Sequence, residues 1–136
     1  MDRIKVGLLG FGTIGTGVVR VFEQNSALIA QRLGKQLELV KIADLDISTD
    51  RGIAPPEGSL TTDVEEVISN PEIDVVVELI GGYEPAKSFI LKAMANGKHI
   101  VTANKALIAT HGNEIFAAAQ KKGVIVAFEA AVAGGI

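Results

Sequence analysis

Three glycines, Gly10, Gly12 and Gly15, follow a short apolar run with the spacing Gly-x-Gly-x-x-Gly. In a strand–turn–helix unit, this spacing is typical of a pyrophosphate-binding turn. The first glycine permits a tight turn, the second lets the backbone approach the phosphates, and the third lets the helix pack closely on the strand. The helix N-terminus adds unpaired amides, so Thr13 and Ile14 join the predicted binding residues. The alternative is a turn that only connects strand to helix.

Asp44 lies just past the second predicted strand. A carboxylate at that position of a dinucleotide-binding domain binds the adenosine ribose hydroxyls. Its distance from the glycines exceeds the usual ~20 residues, and a long helix that ends near Leu33 accounts for the excess. The carboxylate repels a 2′-phosphate, which favours NAD over NADP. Arg51 in the following loop is an opposing indication, and Asp44 starting an ordinary turn is the alternative.

Two further segments follow predicted strands. Gly81 and Gly82 would let the backbone approach a cofactor, although an ordinary turn explains them equally well. Thr102, Ala103 and Lys105 lie beside the expected nicotinamide position and are predicted to bind the cofactor. A lysine there can protonate or hold a carbonyl oxygen as hydride reaches the adjacent carbon. From position alone, a solvated surface lysine is also compatible.

Short β-rich apolar runs alternate with helical patterns, which predicts βαβ units and brings these residues to one sheet edge. The predicted strands are 4–9, 37–43, 75–79, 99–102 and 124–128. The predicted helices are 13–33, a short helix capped by Asp63 with Glu66 in a capping box, 85–96, a turn at 105–108, and 113–122. The fold class is therefore α/β, a Rossmann-type doubly wound parallel sheet with helices on both faces.

The composition excludes several classes of protein. The 136 residues suit a single domain, and 48% hydrophobic with 4% aromatic residues predicts an aliphatic core. The net charge of −3 includes no basic block for nucleic acid or an anionic membrane, and the absence of cysteine excludes thiolate zinc sites and a cysteine nucleophile. His99 and His111 lack partners at metal-binding spacing and are interpreted as structural. No apolar run reaches the ~18 residues of a membrane span, so we expect the cytoplasm.

Four segments together resemble homoserine dehydrogenase, in order and across the whole chain. They are Gly-Leu-Leu-Gly-Phe-Gly-Thr-Ile-Gly at 7–15, Glu-Leu-Ile-Gly-Gly at 78–82, Val-Thr-Ala-Asn-Lys at 101–105 and Phe-Glu-Ala-Ala-Val-Ala-Gly-Gly at 128–135. The resemblance implies the reversible, NAD(P)-dependent reduction of aspartate 4-semialdehyde to homoserine, for threonine and methionine biosynthesis. It places Lys105 between nicotinamide and substrate, assisting proton transfer. Ala43, where many relatives carry Arg or Lys, supports NAD or dual use.

The resemblance also implies a sodium site formed by backbone carbonyls at Glu129, Val132, Gly134 and Ile136. It implies that residues 1–136 are the dinucleotide-binding domain, with the substrate domain and a second catalytic lysine absent from this chain. We therefore expect the chain alone to be inactive, and the enzyme to be a homodimer formed through the absent part. Two alternatives stay open: the cofactor domain of another sugar or amino-acid dehydrogenase, and a non-catalytic nucleotide-sensing module.

Overall fold

The computed structural model describes residues 3–12, 15–19, 31, 34–48, 52 and 55–128. The strands are β1 (Arg3–Leu9), β2 (Gln36–Ala43), β3 (Leu60–Thr61), β4 (Val75–Glu78), β5 (His99–Thr102) and β6 (Val126–Phe128). The helices with defined bounds are α1 (Glu65–Ile68), α2 (Ala86–Ala95) and α3 (Lys105–Lys122). Residues 15–19 are also helical and follow the turn after β1.

The six strands form one parallel sheet in the order β3-β2-β1-β4-β5-β6. The strand order reverses between β1 and β4, because β2 lies on one side of β1 and β4 on the other. In open parallel sheets, ligands bind in the crevice outside the carboxyl ends of the strands at this reversal. The predicted α/β class is confirmed, and the glycine turn lies at the reversal point.

Helices cover both faces of the sheet, as predicted. Alternate residues of each strand point to opposite faces, so the aliphatic side chains separate into two clusters. One cluster joins the strands to the three named helices and includes Leu9, Val76, Ile90, Ile100, Leu107 and Ile115. The other joins the strands to residues 15–19 and includes Leu8, Val18, Val19, Ile42 and Val77. The core is mainly aliphatic on both sides, as the composition predicts, with Phe11 buried in the second cluster.

Two elements differ from the prediction. Strand β3, which pairs with the end of β2, is not among the predicted strands because two residues carry no alternation pattern. The predicted turn at 105–108 and helix 113–122 form the single helix α3. Gly112 does not interrupt it: the residue is buried, and an added Cβ would lie 3.5 Å from the Ile108 side chain. Packing of this face outweighs the cost of an internal glycine, about 1 kcal/mol.

The predicted capping box at α1 is wrong. Asp63 does accept a hydrogen bond from the amide of Glu65, at 3.0 Å. The Glu66 carboxylate instead accepts the Thr61 hydroxyl at 2.7 Å and pairs with Lys41 at 3.2 Å. These contacts hold the pKa of Glu66 below its ordinary value, and the hydrogen bond from Thr61 has the largest effect. The Thr61 hydroxyl at the end of β3 and the Lys41 ammonium on β2 thus take the carboxylate that the capping box would use.

Lys98 is a buried cation at the opposite, amino-terminal edge of the sheet. Its ammonium donates hydrogen bonds to the carbonyls of Asn70 and Ile73, at 2.5 and 2.8 Å. Burial lowers its pKa, and the nearby Asp74 carboxylate partly opposes that shift. Lys98 therefore anchors the loop that leads into β4 and has no part in a site at the other edge.

The start of α2 is capped by the side chain of Glu84, which precedes the N-cap residue. Pro85 occupies the N-cap position and provides no side-chain acceptor. The Glu84 carboxylate instead accepts the amide of Ser88 at 2.9 Å and its hydroxyl at 2.8 Å. These bonds lower the pKa of Glu84: the hydrogen bond from the Ser88 amide has the largest effect, and the bond from the Ser88 hydroxyl has the next largest. The charged carboxylate thus stabilises the helix start.

We expect the Glu84 carboxyl to titrate below the ordinary glutamate value of about 4.3, followed by NMR on its side-chain carbon. Since the folded-state pKa is the lower one, the stabilisation is full above the unfolded-state pKa. It is lost as the pH falls through the folded-state pKa. Ser88→Ala should move the midpoint towards the ordinary value, because one of the two hydrogen bonds is removed. Ser69→Ala removes a similar hydroxyl bond from Glu65 and should not move the Glu84 midpoint. An unchanged midpoint in Ser88→Ala would contradict the assignment.

Candidate functional site

The turn after β1 is confined between the ends of two strands. Gly10 has a φ of +109°, a conformation that side chains disfavour. Its amide donates to the carbonyl of Ala43 at 2.8 Å. A Cβ at Gly10 would lie 3.2 Å from the carbonyl group of Leu79. The first glycine therefore lets the turn pass between the ends of β2 and β4.

The other two glycines of the turn differ in their surroundings. A Cβ at Gly15 would lie 2.6 Å from the carbonyl oxygen of Gly10, a clash with rigid backbone. A Cβ at Gly12 would meet nothing within 4 Å, and Gly12 is exposed. The amide of Thr16 donates to the carbonyl of Gly12 at 2.8 Å, which is an α-helical bond, so the helix starts at this turn. Gly15 has the packing role expected of the third glycine, and Gly12 leaves the backbone open to a ligand.

Asp44 lies against the glycine turn. Its Oδ2 accepts the amide of Phe11 at 2.6 Å, and its Oδ1 accepts the amide of Asp46 at 2.9 Å. The Asp44 amide donates to the carbonyl of Thr61 at 3.0 Å. The side chain is therefore fixed at both oxygens. Each carboxylate oxygen can accept a further hydrogen bond.

A cavity of about 410 Å³ opens beside this carboxylate. It lies at the carboxyl edge of the sheet, between the loop after β2 and the loop after β4. Most of its lining is apolar. The lining residues are Gly10, Gly12, Ala43, Asp44, Leu45, Thr62, Val64, Leu79, Ile80, Pro85 and Phe89. The structure thus brings two of the predicted glycines and Asp44 to one cavity.

The other predicted residues lie farther along the same edge. Gly81 and Gly82 are exposed and have φ values of +84° and +70°. Thr102 is completely buried, and its hydroxyl donates to Glu78 Oε1 at 2.6 Å. A hydroxyl has one proton to donate, so the side chain has no donor left for a ligand. Lys105 is exposed and is the first residue of α3.

Two polar residues of this edge, Glu78 and Asn104, are absent from the sequence-predicted site. Glu78 is the last residue of β4 and is completely buried. Asn104 caps α3: its Oδ1 accepts the amide of Leu107 at 3.1 Å. Asparagine directly before a helix is a preferred N-cap, so the sequence held a signal for Asn104. A glutamate that ends an apolar strand gives only a weak one.

Several predicted residues lie outside the described part of the chain. They are Thr13, Ile14, Arg51, Glu129, Val132, Gly134 and Ile136. Within the described ranges, no group of three or more histidine, cysteine or acidic residues could hold a metal ion. No helix among the described residues is long and apolar enough to cross a membrane.

Both histidines have structural contacts. His99 Nδ1 accepts the amide of Ile125 at 3.0 Å, which ties β5 to the residue before β6. The His111 ring packs edge-on against Tyr83, with the ring centroids 5.7 Å apart. These contacts agree with the structural interpretation of the two histidines.

The strand order, the glycine turn and the carboxylate at the end of β2 define a Rossmann-type dinucleotide-binding domain. The sequence profile of the family described as "Homoserine dehydrogenase, NAD binding domain" matches residues 10–129. The chain belongs to this family. The alternative of a cofactor domain from another dehydrogenase family is thereby set aside.

Relatives and solved structures agree with the family. Homoserine dehydrogenase from Pseudomonas aeruginosa is 57% identical over 138 aligned residues, which cover 100% of this chain and 31% of the relative. The Bacillus subtilis enzyme is 42% identical, with the same coverage. The crystal structure of a homoserine dehydrogenase from Thiobacillus denitrificans superposes with a TM-score of 0.89 at 52% identity, covering 96% of this chain and 30% of that one. This chain thus spans about a third of the length of its relatives.

The contrast between two glycines gives a stability test. Gly15→Ala should lower the free energy of unfolding by about 1–3 kcal/mol, because the new methyl group clashes with the Gly10 carbonyl. Gly12→Ala should change it by less than about 0.5 kcal/mol, because the position is exposed and open. Urea denaturation followed by circular dichroism measures both. Equal destabilisation by the two substitutions would show that the turn is not packed as described.

Proposed function

We propose that this chain binds NAD or NADP, with NAD preferred, in the crevice at the carboxyl edge of the sheet. One observation carries the proposal: Gly10, Gly12 and Asp44 line the same cavity. These residues come from the turns after β1 and β2, and a dinucleotide-binding domain needs both at one place.

The adenosine half fits the cavity. Its volume of about 410 Å³ is within the range of small-molecule sites, roughly 300–1,000 Å³. Val64, Ile80 and Pro85 provide apolar walls for a purine ring. Asp44 accepts one amide at each oxygen and can accept ribose hydroxyls with the remaining lone pairs. A 2′-phosphate at that position would meet the negative charge of Asp44, which supports the preference for NAD.

The pyrophosphate fits the glycine turn. Gly12 is exposed, and nothing lies within 4 Å of where its Cβ would be, so phosphate oxygens can reach the backbone there. The helix that contains residues 15–19 begins at this turn. The first amides of a helix lack partners within it and carry a partial positive charge, which suits an anion.

The nicotinamide half would lie over the ends of β4 and β5, on the opposite side of β1 from Asp44. Lys105 is exposed there as the first residue of α3. A cation at a helix N-terminus is unfavourable for the helix itself, so helix stability does not explain this lysine. Its ammonium can instead stabilise a carbonyl oxygen that gains negative charge.

The whole enzyme would catalyse the reversible reduction of aspartate 4-semialdehyde to homoserine. A bound nicotinamide dinucleotide supplies the hydride for reduction and accepts it in the reverse direction. Lys105 would hold the substrate carbonyl oxygen and assist its protonation as the alcohol forms. The parts of the enzyme beyond this chain would bind the amino-acid substrate. A homodimer, a sodium site at residues 129–136 and a cytoplasmic location also belong to this proposal.

A non-catalytic nucleotide-sensing domain is the second candidate. It shares the cavity and the glycine turn but has no use for an unpaired lysine beside them. Among the described residues, no ion pair involves Lys105. That lysine supports the enzyme over the sensor.

Titration of the chain with NADH and with NADPH, followed by nicotinamide fluorescence, tests the cofactor proposal. The chain has no tryptophan, so protein emission interferes little. We expect saturable binding with NADH tighter. Asp44→Ser should shift the affinity ratio towards NADPH by about tenfold or more, because it removes a charged acceptor and a repulsion.

Two controls accompany this titration. Asp46→Ser makes the same charge change two residues away and should leave the NADH-to-NADPH ratio unchanged. Gly12→Ala should weaken both nucleotides, because the methyl group occupies the open approach to the backbone. Tighter binding of NADPH by the wild-type chain would overturn the preference while keeping the site. Absence of binding by either nucleotide would overturn the site.

Lys105→Ala should lower turnover by about 10²-fold or more in the enzyme that contains this chain with its substrate-binding part. The rate of homoserine-dependent NAD(P) reduction measures this. Lys121→Ala removes an exposed lysine from the other end of α3 and should leave the rate unchanged. A near-normal rate in Lys105→Ala would contradict the catalytic role and indicate that Lys105 is a solvated surface residue.

A further inference from the structure

Glu78 is a buried carboxylate whose hydrogen bonds link the loop after β4 to the last residue of β5, at the carboxyl edge of the sheet. Its Oε2 accepts the amides of Ile80 and Gly81, at 2.9 and 3.0 Å. Its Oε1 accepts the hydroxyl of Thr102 at 2.6 Å. Among the described residues, no ion pair reaches it. A buried charge is costly unless hydrogen bonds compensate it, so this carboxylate depends on these three donors.

Thr102 and Asn104 extend these contacts to the next loop. Glu78 and Thr102 are neighbours in the register of β4 and β5, with their side chains on one face. The Thr102 hydroxyl accepts the amide of Asn104 at 3.0 Å, so its own proton points to Glu78. Asn104 Nδ2 donates to the carbonyl of Gly82 at 2.6 Å. The hydrogen bonds therefore close a ring: Glu78, the loop at 80–82, Asn104, Thr102 and back to Glu78.

We propose that Glu78 is a positioning residue for the nicotinamide half of the site. The ring fixes the loop after β4 against the loop after β5, and Asn104 at its edge caps the helix that Lys105 begins. Glu78 thereby sets the place of Lys105 without contacting a ligand. This inference rests on the proposed dinucleotide site, because that proposal puts nicotinamide over these two loops.

The residue type follows from the donors. Two amides and one hydroxyl converge on Glu78, and an ionised carboxylate is a pure acceptor with room for all three. Glutamine has nearly the same shape, but its NH₂ group would face at least one of those donors. Glu78→Gln therefore turns the Thr102 hydroxyl from a donor to this side chain into an acceptor, with little change in volume.

The test uses Glu78→Gln, Thr102→Val and Thr102→Ser in this chain, with Thr61→Val as a matched control. Thr61 makes the same pair of bonds at the end of β3: its hydroxyl donates to Glu66 at 2.7 Å and accepts the amide of Asp63 at 3.0 Å. Thr102→Ser keeps the hydroxyl and should restore the ring. If Glu78→Gln fails to fold, the comparison of Thr102→Val with Thr102→Ser still tests whether the hydroxyl at position 102 links the two loops.

The first readout is amide hydrogen exchange by NMR, which needs no ligand. We expect the amides of Gly81, Asn104 and Leu107 to exchange about tenfold faster in Glu78→Gln and Thr102→Val, as loss of a hydrogen bond implies. Thr102→Ser and Thr61→Val should match the wild type at these amides. Unchanged exchange in Thr102→Val, or the same acceleration in Thr61→Val, would overturn the ring as the link between the loops.

The second readout compares the affinities for NADH and for ADP-ribose, which lacks the nicotinamide ring, by calorimetry. Glu78→Gln and Thr102→Val should weaken NADH by up to about tenfold and change ADP-ribose by less than about twofold. A general loss of structure would weaken both, and that result would overturn the positioning role. If the wild-type chain binds neither nucleotide, the proposed function fails, while the exchange data still confirm or overturn the link between the loops.

Discussion

The backbone of Gly15 approaches the turn after β1 so closely that a side-chain carbon at this position would lie 2.6 Å from the carbonyl oxygen of Gly10. This approach lets the following helix begin directly at the strand end and pack on the sheet through Val18 and Val19. It also sets the turn where the amide of Phe11 meets Asp44 at 2.6 Å. Gly10 and Gly12 of this turn line the cavity beside Asp44, and neither places a side chain in it.

The two acidic residues at the carboxyl edge differ in burial and in how many of their lone pairs the protein uses. Asp44 is half-buried, lines the cavity and uses one amide at each oxygen, so it retains acceptor capacity towards a ligand. Glu78 is fully buried, and its three donors all belong to the protein. The two carboxylates, which lie on opposite sides of β1, therefore differ in their hydrogen bonding. Asp44 has lone pairs left that face the cavity, whereas Glu78 uses its lone pairs to join the loop after β4 to Thr102.

The sequence predicted the sheet, its parallel direction and the helices on both faces, because these follow from local periodicity and from three glycines. It did not predict β3, where two residues carry no pattern, or the assignment of Glu66 to Thr61. It also divided α3 into a turn at 105–108 and a helix at 113–122, although the buried Gly112 between them continues the helix. The sequence brings Gly10, Gly12 and Asp44 to one edge because each occupies a fixed place in a strand–turn–helix unit. It does not reveal the contact of Glu78 with Thr102, because only the pairing of β4 with β5 brings the two residues together.

Lys105 differs from the buried residues that precede it, because it is exposed and makes no ion pair among the described residues. The ring formed by Glu78, Thr102 and Asn104 is internally satisfied, so it contributes rigidity and no chemistry of its own. Lys105 follows it directly, exposed and at the helix end where a cation is unfavourable. The ring holds the backbone next to Lys105 rigidly, and the helix does not stabilise the Lys105 ammonium. This ammonium is therefore suited to stabilise an oxygen that gains negative charge. The physical cost accepted at Lys105 thus supports the proposed catalytic role of this residue.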